Sequence, residues 1–427
     1  MKFNLKIWHL ILAFCFLLIV VRFITIVKIL SLLFSYLILL FTDFSDAAAQ
    51  LNFELADYFI SAALIIMLPV LTFFKLKHKK IFRTKLDFSS LVITILLLVF
   101  IFSPLISYTH PDFQKNIGLT KLLPPLSKVI FMKFEKAQTS QLSGIDKFAE
   151  SRRSVIKYSF DADVIFVDSL KAGEKIFYYQ KEKVFEISSD SLKSNQLTPK
   201  LDTKTFLLGT DEFGRDIFAR LLFGARISIF VGICSVLISF LIGFVMGSFS
   251  GYLGGKVDVV LNRLSDTFLS FPSIFLIIII LALFGNSLIA VIIVLGFSGW
   301  MSLFKIVRSE VISLKQKDFF ISARMIGLSQ KQLLLKEILP VVITPIVVNL
   351  VYLFGGVILA EAALSYLGLG TGTNYPSWGG MIDAGQNYLR DAWWMIFFPG
   401  IALILTLYAA NDAGQKIKIY FNPQLRK

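Results

Sequence analysis

Cysteine and histidine are scarce in this chain, with two and three residues among 427. Cys15 and Cys234 both lie in apolar runs. They read as small buried hydrophobes, and no disulfide framework can be built from them. His9, His78 and His110 are scattered without ligand spacing, which argues against a metal site made by this chain alone. The long hydrophobic stretches show no strict apolar–polar alternation, which excludes a β-barrel. A phosphate loop is missing too: Gly255-Lys256 is followed by Val257 instead of Ser or Thr, and Ser250 stands where the first glycine belongs. Gly368-Leu369-Gly370 has no βαβ unit around it, so it is no dinucleotide fingerprint. Met1–Val21 is basic and then apolar but lacks a small-x-small cleavage site, and it reads as uncleaved. With no nucleophile–base constellation either, no catalytic residue, metal or cofactor is assigned to the chain.

Hydrophobic residues are abundant, at 56% with 14% aromatic, and only 17% are charged. Runs such as Leu91–Ile106, Ile227–Gly247 and Ile274–Phe284 point to an all-α polytopic membrane protein. The formal charge of +14 is carried by Lys and Arg concentrated beside these runs. There they orient spans and meet anionic lipid, so nucleic acid is not the implied partner. Lys75, Lys77, Lys79, Lys80, Arg83 and Lys85 mark a cytoplasmic loop between the spans Tyr58–Phe74 and Phe88–Ser107. The acidic stretch Thr42–Asp57 precedes them, and Ile7–Phe41 before it reads as one span with an interfacial helix or as a tight two-span hairpin. Tyr108 to about Lys204 is polar, with strand-forming runs around Ala172-Gly173 that suggest a small extracytoplasmic sheet.

The remaining expected spans are Ile227–Gly247, Leu264–Phe284, Ser287–Phe304, Pro340–Ala360 and Trp393–Ala410, with Ala360–Gly370 in an outer loop. The first follows an amphipathic interfacial elbow and carries a stripe of small residues, Ser228, Gly232, Ser235, Ser239, Gly243, Gly247 and Gly251. That stripe suits either intrachain packing or a subunit interface. Asp266, near the entry of its span, reads as structural. Lys305–Glu337 holds seven basic residues against three acids and is placed on the cytoplasmic side. Within it, Asp318–Pro340 has the grammar of helix, turn, helix. Gly327 can take the left-handed conformation that closes the first helix. Ser329 and Gln332 have capping-box spacing, and Pro340 suits the first turn of the next span.

In that hairpin Ala323, Gly327 and the Ile338-Leu339-Pro340 end resemble the cytoplasmic "EAA" loop of membrane subunits of ATP-binding-cassette importers. The family's glutamate falls on Ile321 and its first alanine on Ser322, and Arg324 follows. Gly209-Thr210-Asp211, Gly214-Arg215-Asp216 and Gly224-Ala225-Arg226 resemble the signature of the "C-type" permeases of dipeptide, oligopeptide and nickel importers. So do Glu361, Ser365, Leu367, Gly368, Gly370, Trp378 and Gly379.

The resemblance implies a six-span importer-type permease core in the bacterial cytoplasmic membrane, with cargo more in keeping with peptide than nickel. It implies extra N-terminal spans over 1–87, a first core span over 88–108, an insert over 109–205, and a core over 206–427 with its coupling loop at 305–340. It further implies a second permease, two ATPase subunits carrying the ATP, and an extracytoplasmic solute-binding protein. A secondary transporter, or a membrane-anchored sensor built on the 109–205 insert, are the alternatives.

Overall fold

The computed structural model describes residues 6–42, 44, 52–74, 87–136, 148–149, 151–152, 155–156, 164–172, 175–181, 183–188, 197–329, 332–333, 338–371 and 375–421. The basic run from Lys75 to Lys85, Asp43 and Asp46, Gly173, the Lys331, Lys336 and Glu337 charges, and the Arg426 and Lys427 tail lie outside them. The chain forms two compact units. One comprises Met1–Asp87, Thr94–Ala225 and Ala384–Phe398, the other Phe88–Ile93, Arg226–Asp383 and Pro399–Lys427.

In the first unit, α1 (Ile7–Thr42) is 36 residues long and consists of two helical segments joined at a kink at Arg22, with φ −111° and ψ 17°. Only that one residue separates the segments, and α1 is apolar enough to count as one candidate span. Its buried residues Ile11, Cys15, Leu18, Arg22, Ile26, Ile29, Leu32, Tyr36 and Leu39 recur every three or four positions. That seam packs on Leu55, Phe59, Ala62 and Ile65 of α2 (Phe53–Phe74) and on Leu98, Phe102 and Leu105 of α3 (Phe88–Ile106). Arg22 sits in the seam as a clamp. Its guanidinium donates to the Leu105 carbonyl at 2.7 Å and to the Ser107 carbonyl, and lies 3.8 Å over the Tyr108 ring.

After the one-turn α4 (Ile117–Thr120) come, among the described residues, six strands: β1 (Ser127–Lys136), β2 (Val164–Val167), β3 (Ser169–Ala172), β4 (Lys175–Gln180), β5 (Lys183–Ser188) and β6 (Leu197–Phe206). They make two antiparallel three-stranded sheets, ordered β2-β1-β6 and β3-β4-β5. Phe113, Val164, Phe166 and Phe206 form the core under the first. The strand-forming runs around position 172 correspond to the second sheet.

Next, α5 (Ile217–Leu253) begins, a 37-residue helix without interruption. The expected elbow is therefore the turn ahead of it, and the amphipathic residues belong to the same helix as the span. In the second unit follow α6 (Gly255–Ser270) and α7 (Ser273–Phe284), set at 86° to each other. Leu264–Phe284 is thus not one straight span. Pro272 caps α7 with extended backbone, φ −60° and ψ 118°, which breaks the helix there. α8 (Leu288–Leu314) is capped by the Ser287 side chain, which accepts from Ala290 N–H at 3.2 Å.

α9 (Asp318–Met325), α10 (Leu339–Tyr366), α11 (Trp378–Gln386) and α12 (Trp394–Phe421) complete the chain. α10 runs through Glu361 to Tyr366, so most of the expected outer loop is helix. The turn that ends it is at Gly368, with φ +74°.

Among the described residues, α1, α2, α3, α5, α8, α10 and α12 are long and apolar enough to cross a membrane, and the bent α6–α7 pair makes an eighth if taken as one span. A core of α3, α5, α6–α7, α8, α10 and α12, plus two N-terminal helices, gives the expected six-span architecture. Ser228 and Gly232 of the small-residue stripe meet α10, and from Ser235 on the stripe faces α8. Ser235 and Ser239 donate to the carbonyls of Ile292 and Gly296 at 3.0 and 2.6 Å. A Cβ on Gly243, Gly247 or Gly251 would come within 3 Å of Trp300, Phe304 or Arg308 carbonyls respectively. These small residues serve intrachain packing.

Candidate functional site

Three groups of motif residues were singled out, and the structure gives each a separate setting. In the hairpin, Gly327 has φ +86° with open space where a Cβ would sit, so backbone conformation alone demands glycine. Leu328 N–H donates to the Ala323 carbonyl at 3.4 Å, the six-to-one bond of a Schellman closure. Gln332 Oε1 accepts from Ser329 N–H at 2.9 Å, and Gln332 N–H donates back to Ser329 Oγ at 3.4 Å, so the capping box forms. Pro340 stands in the first turn of α10.

The hairpin has an inner and an outer face. Phe320, Ala323, Leu333 and Ile338 are buried against Leu303, Val307, Val311 and Leu314 of α8 and Val342 and Ile346 of α10. Phe319, Ile321, Met325 and Ile326 are exposed, the last two at 83% and 81%. Ser322 is also exposed, and only the backbones of Arg324, Leu339 and Pro340 are described. Of the residues singled out, Ala323 and Ile338 meet in one core and Ile321 and Ser322 face away from it. Phe319, Met325 and Ile326 were missed. The available signal was apolar residues directly beside a turn glycine.

The Gly209–Asp216 motif is a buried turn. Thr210 Oγ1 donates to the Thr120 carbonyl at 2.5 Å and accepts from Leu123 N–H at 2.7 Å. The indole of Trp394 donates to the Thr210 carbonyl at 3.1 Å. Asp211 accepts from the N–H groups of Phe213 and Arg215 and from Arg215 Nε at 2.6 Å. Gly214 has φ +75°, and a Cβ there would fall 2.1 Å from Thr120 Oγ1. Asp216 caps α5 by accepting from Phe218 N–H at 3.0 Å, with Lys204 Nζ 3.7 Å away. Arg220 pairs with Asp112 at 2.9 Å. Gly224 and Arg226 lie four and six residues further along α5.

Burial lowers the Lys204 amine from its usual range, opposed by Asp216. Burial and then Asp211 raise the Glu212 carboxyl, opposed by Arg215 and Arg220. No bound group is needed to account for these residues, since they tie the turn to its surroundings.

The third group surrounds Glu361, which is fully buried. Ser365 Oγ donates to Glu361 Oε1 at 2.8 Å and Ser228 Oγ donates to Oε2 at 3.2 Å. Ser228 Oγ in turn accepts from Trp378 N–H at 3.4 Å, and Ser377 Oγ accepts from Gly380 N–H at 3.1 Å. The first turn of α11 therefore reaches the Glu361 carboxyl group through serine hydroxyls. Gly379 and Gly370 leave no room for a Cβ against Ala362 and Ser365. Gly368, at φ +74°, ends the helix beside them. Glu361, Ser365, Gly368, Trp378 and Gly379 are thus brought together. Ser228 and Ser377, their partners, were not singled out for this role.

Two further contacts had no sequence signal. Asp258 on α6 pairs with Arg308 on α8, and Asp266 on α6 pairs with Lys305. The second agrees with a structural role for Asp266.

Residues 222–417 match the family model described as binding-protein-dependent transport system inner membrane component. The chain is 35% identical over 238 residues to the dipeptide transport system permease protein DppC of Bacillus subtilis, covering 56% of this chain and 73% of that protein. It is 38% identical over 218 residues to the oligopeptide transport system permease protein OppC of Haemophilus influenzae, covering 51% and 70%. Among solved structures, an inward-facing MetNI methionine ABC transporter chain aligns with TM-score 0.40 and 17% identity, covering 47% of this chain and 96% of that one.

Proposed function

This chain belongs to the permease family of binding-protein-dependent transport systems that includes the dipeptide and oligopeptide permeases, and from that premise we propose that it forms half of the pathway of a peptide importer driven by ATP. It is a multi-pass protein of the bacterial inner membrane and a transport subunit. A second permease supplies the other half of the pathway, two ATPase subunits hydrolyse the ATP, and an extracytoplasmic solute-binding protein delivers the peptide. The chain itself carries no cofactor.

One observation supports the ATPase contact above the others. Phe319, Ile321, Met325 and Ile326 are exposed on a hairpin whose opposite face is anchored between α8 and α10. An apolar tip on a capped, anchored element suits insertion into a partner's cleft, with Met adapting its shape to the surface it meets. Force on the tip then reaches two membrane helices directly. The two nucleotide states of the ATPase must hold the tip in different positions for this to drive transport.

The test is Met325→Asp with Ile326→Asp, beside Gly327→Pro. The aspartates leave the hairpin fold intact, whereas proline cannot adopt the φ of +86° at Gly327. Both variants should insert in the membrane, lose copurification of the ATPase and lose ATP-driven peptide uptake. Uptake by the unsubstituted chain with no ATPase present would overturn the reading.

A further inference from the structure

The hairpin continues α8 with little slack, since Lys315 N–H still bonds the Val311 carbonyl and Ile321 N–H bonds the Lys317 carbonyl. The end of α8 is also fastened to two other elements. Lys315 Nζ donates to the Tyr252 carbonyl at 2.7 Å and reaches the Gly251 carbonyl at 3.4 Å, which caps the C-terminus of α5. Arg308 grips Asp258 with two nitrogens, Nη2 to Oδ2 at 2.6 Å and Nε to Oδ1, and Ser250 on α5 donates to the same Oδ1 at 2.5 Å. Lys305 pairs with Asp266 two turns further along α6. This fork-to-fork geometry fixes direction as well as distance.

α6 has little else to hold it. Its apolar contact with α8 runs through Leu261 and Phe268 to Trp300 and Phe304, whereas Val257, Val259 and Val260 are exposed. At its far end the 86° bend at Pro272 leads into α7, whose Ile277 and Leu281 pack on Val291, Val294 and Leu295 of α8. The end of α8 next to the hairpin is thereby tied to α7 by two routes, one along α8 itself and one through the ion pairs and α6.

Resting on the function proposed above, we infer that Arg308 and Asp258 are positioning residues of the transport cycle: their pair makes α6 an arm that carries hairpin displacement to α7. Lys305–Asp266 is the more exposed of the two pairs and contributes less. In the arm's absence the hairpin still docks and the ATPase still turns over, but α7 keeps only its packing on α8 and follows less closely.

The complete complex in proteoliposomes provides the test, with radiolabelled dialanine and tetraalanine as cargo. Arg308→Gln and Asp258→Asn should leave ATP hydrolysis near its original rate while uptake per ATP falls roughly tenfold, within the reach of coupling mutations. The swap Asp258→Arg with Arg308→Asp should restore the ratio. An unchanged ratio, a proportional fall in both activities, or a swap that assembles yet stays uncoupled would each overturn the inference.

A second measurement needs no transported substrate. With Cys15 and Cys234 replaced by alanine, spin labels go on Leu283→Cys and Ser309→Cys, both exposed positions on α7 and α8. Their separation should be the same with and without ATP, and should broaden in Arg308→Gln. An ATP-dependent change with the pair intact, or no broadening once it is removed, rejects the arm. Lack of ATP-driven uptake by the unsubstituted complex counts against the function reading, and the spin labels then decide the inference separately.

Discussion

Glu212 shows what a charge costs when its surroundings only half satisfy it. Its Oε1 lies 3.4 Å from Arg215, while Oε2 is buried without a hydrogen-bond partner. Burial and neighbouring Asp211 raise its pKa in the fold. The folded protein therefore holds the proton more tightly than the unfolded chain, and stability falls as pH rises from the unfolded pKa through the raised one. Glu212→Gln should raise the melting temperature at neutral pH, with the gain vanishing below about pH 4, where both states are protonated. A gain that persists in acid would show that packing, not charge, was responsible. Glu361 differs in that both of its oxygens have hydroxyl donors. Glu361→Ala orphans the Ser228 and Ser365 hydroxyls, at about 1–3 kcal/mol for each buried group. Glu361→Gln keeps an acceptor and should lose less, which thermal unfolding of the two variants compares directly.

At the level of elements, local grammar was legible and long-range geometry was not. Gly327 and the Ser329–Gln332 box could be read because a turn glycine and a reciprocal cap are decided within a few residues. Leu264–Phe284 was expected as one span, and nothing local gave the 86° bend at Pro272 or the pairing of α6 with α8. Glu361 was expected in a loop because a polar residue ended the apolar run, and its acceptor sites are filled by serines far away in sequence. Pairing of β1 with β6 joins Ser127 to Phe206, a separation that no local pattern encodes. The small-residue stripe suited either intrachain packing or a subunit interface, and its contacts with α8 from Ser235 onward came only from the structure. Gly247→Val tests that packing. Its Cβ would lie 2.8 Å from the Phe304 carbonyl, a backbone atom that cannot rotate away. The expected cost is about 1–3 kcal/mol, with α5 and α8 forced apart. A melting temperature equal to that of the unsubstituted protein would show that the contact is looser than drawn.

Taken as a whole molecule, the chain matches the permease family over residues 222–417, and α3, the expected first core span, lies ahead of that match. α1 and α2 lie ahead of that match, and their contribution depends on the solvent around them. In water, uncovering Leu98, Phe102 and Leu105 on α3 would be costly. In lipid, acyl chains replace the lost apolar contacts and the hydrophobic term nearly disappears. What lipid cannot replace is the Arg22 clamp on the carbonyls of Leu105 and Ser107. Deleting residues 1–74 should therefore lower thermal stability in the membrane while leaving ATP-driven uptake by the assembled complex largely intact. Arg22→Met in the full chain should reproduce most of that stability loss, because it removes the clamp and keeps the packing. If the truncated chain assembles with its ATPase but no longer transports, α1 and α2 belong to the transport cycle.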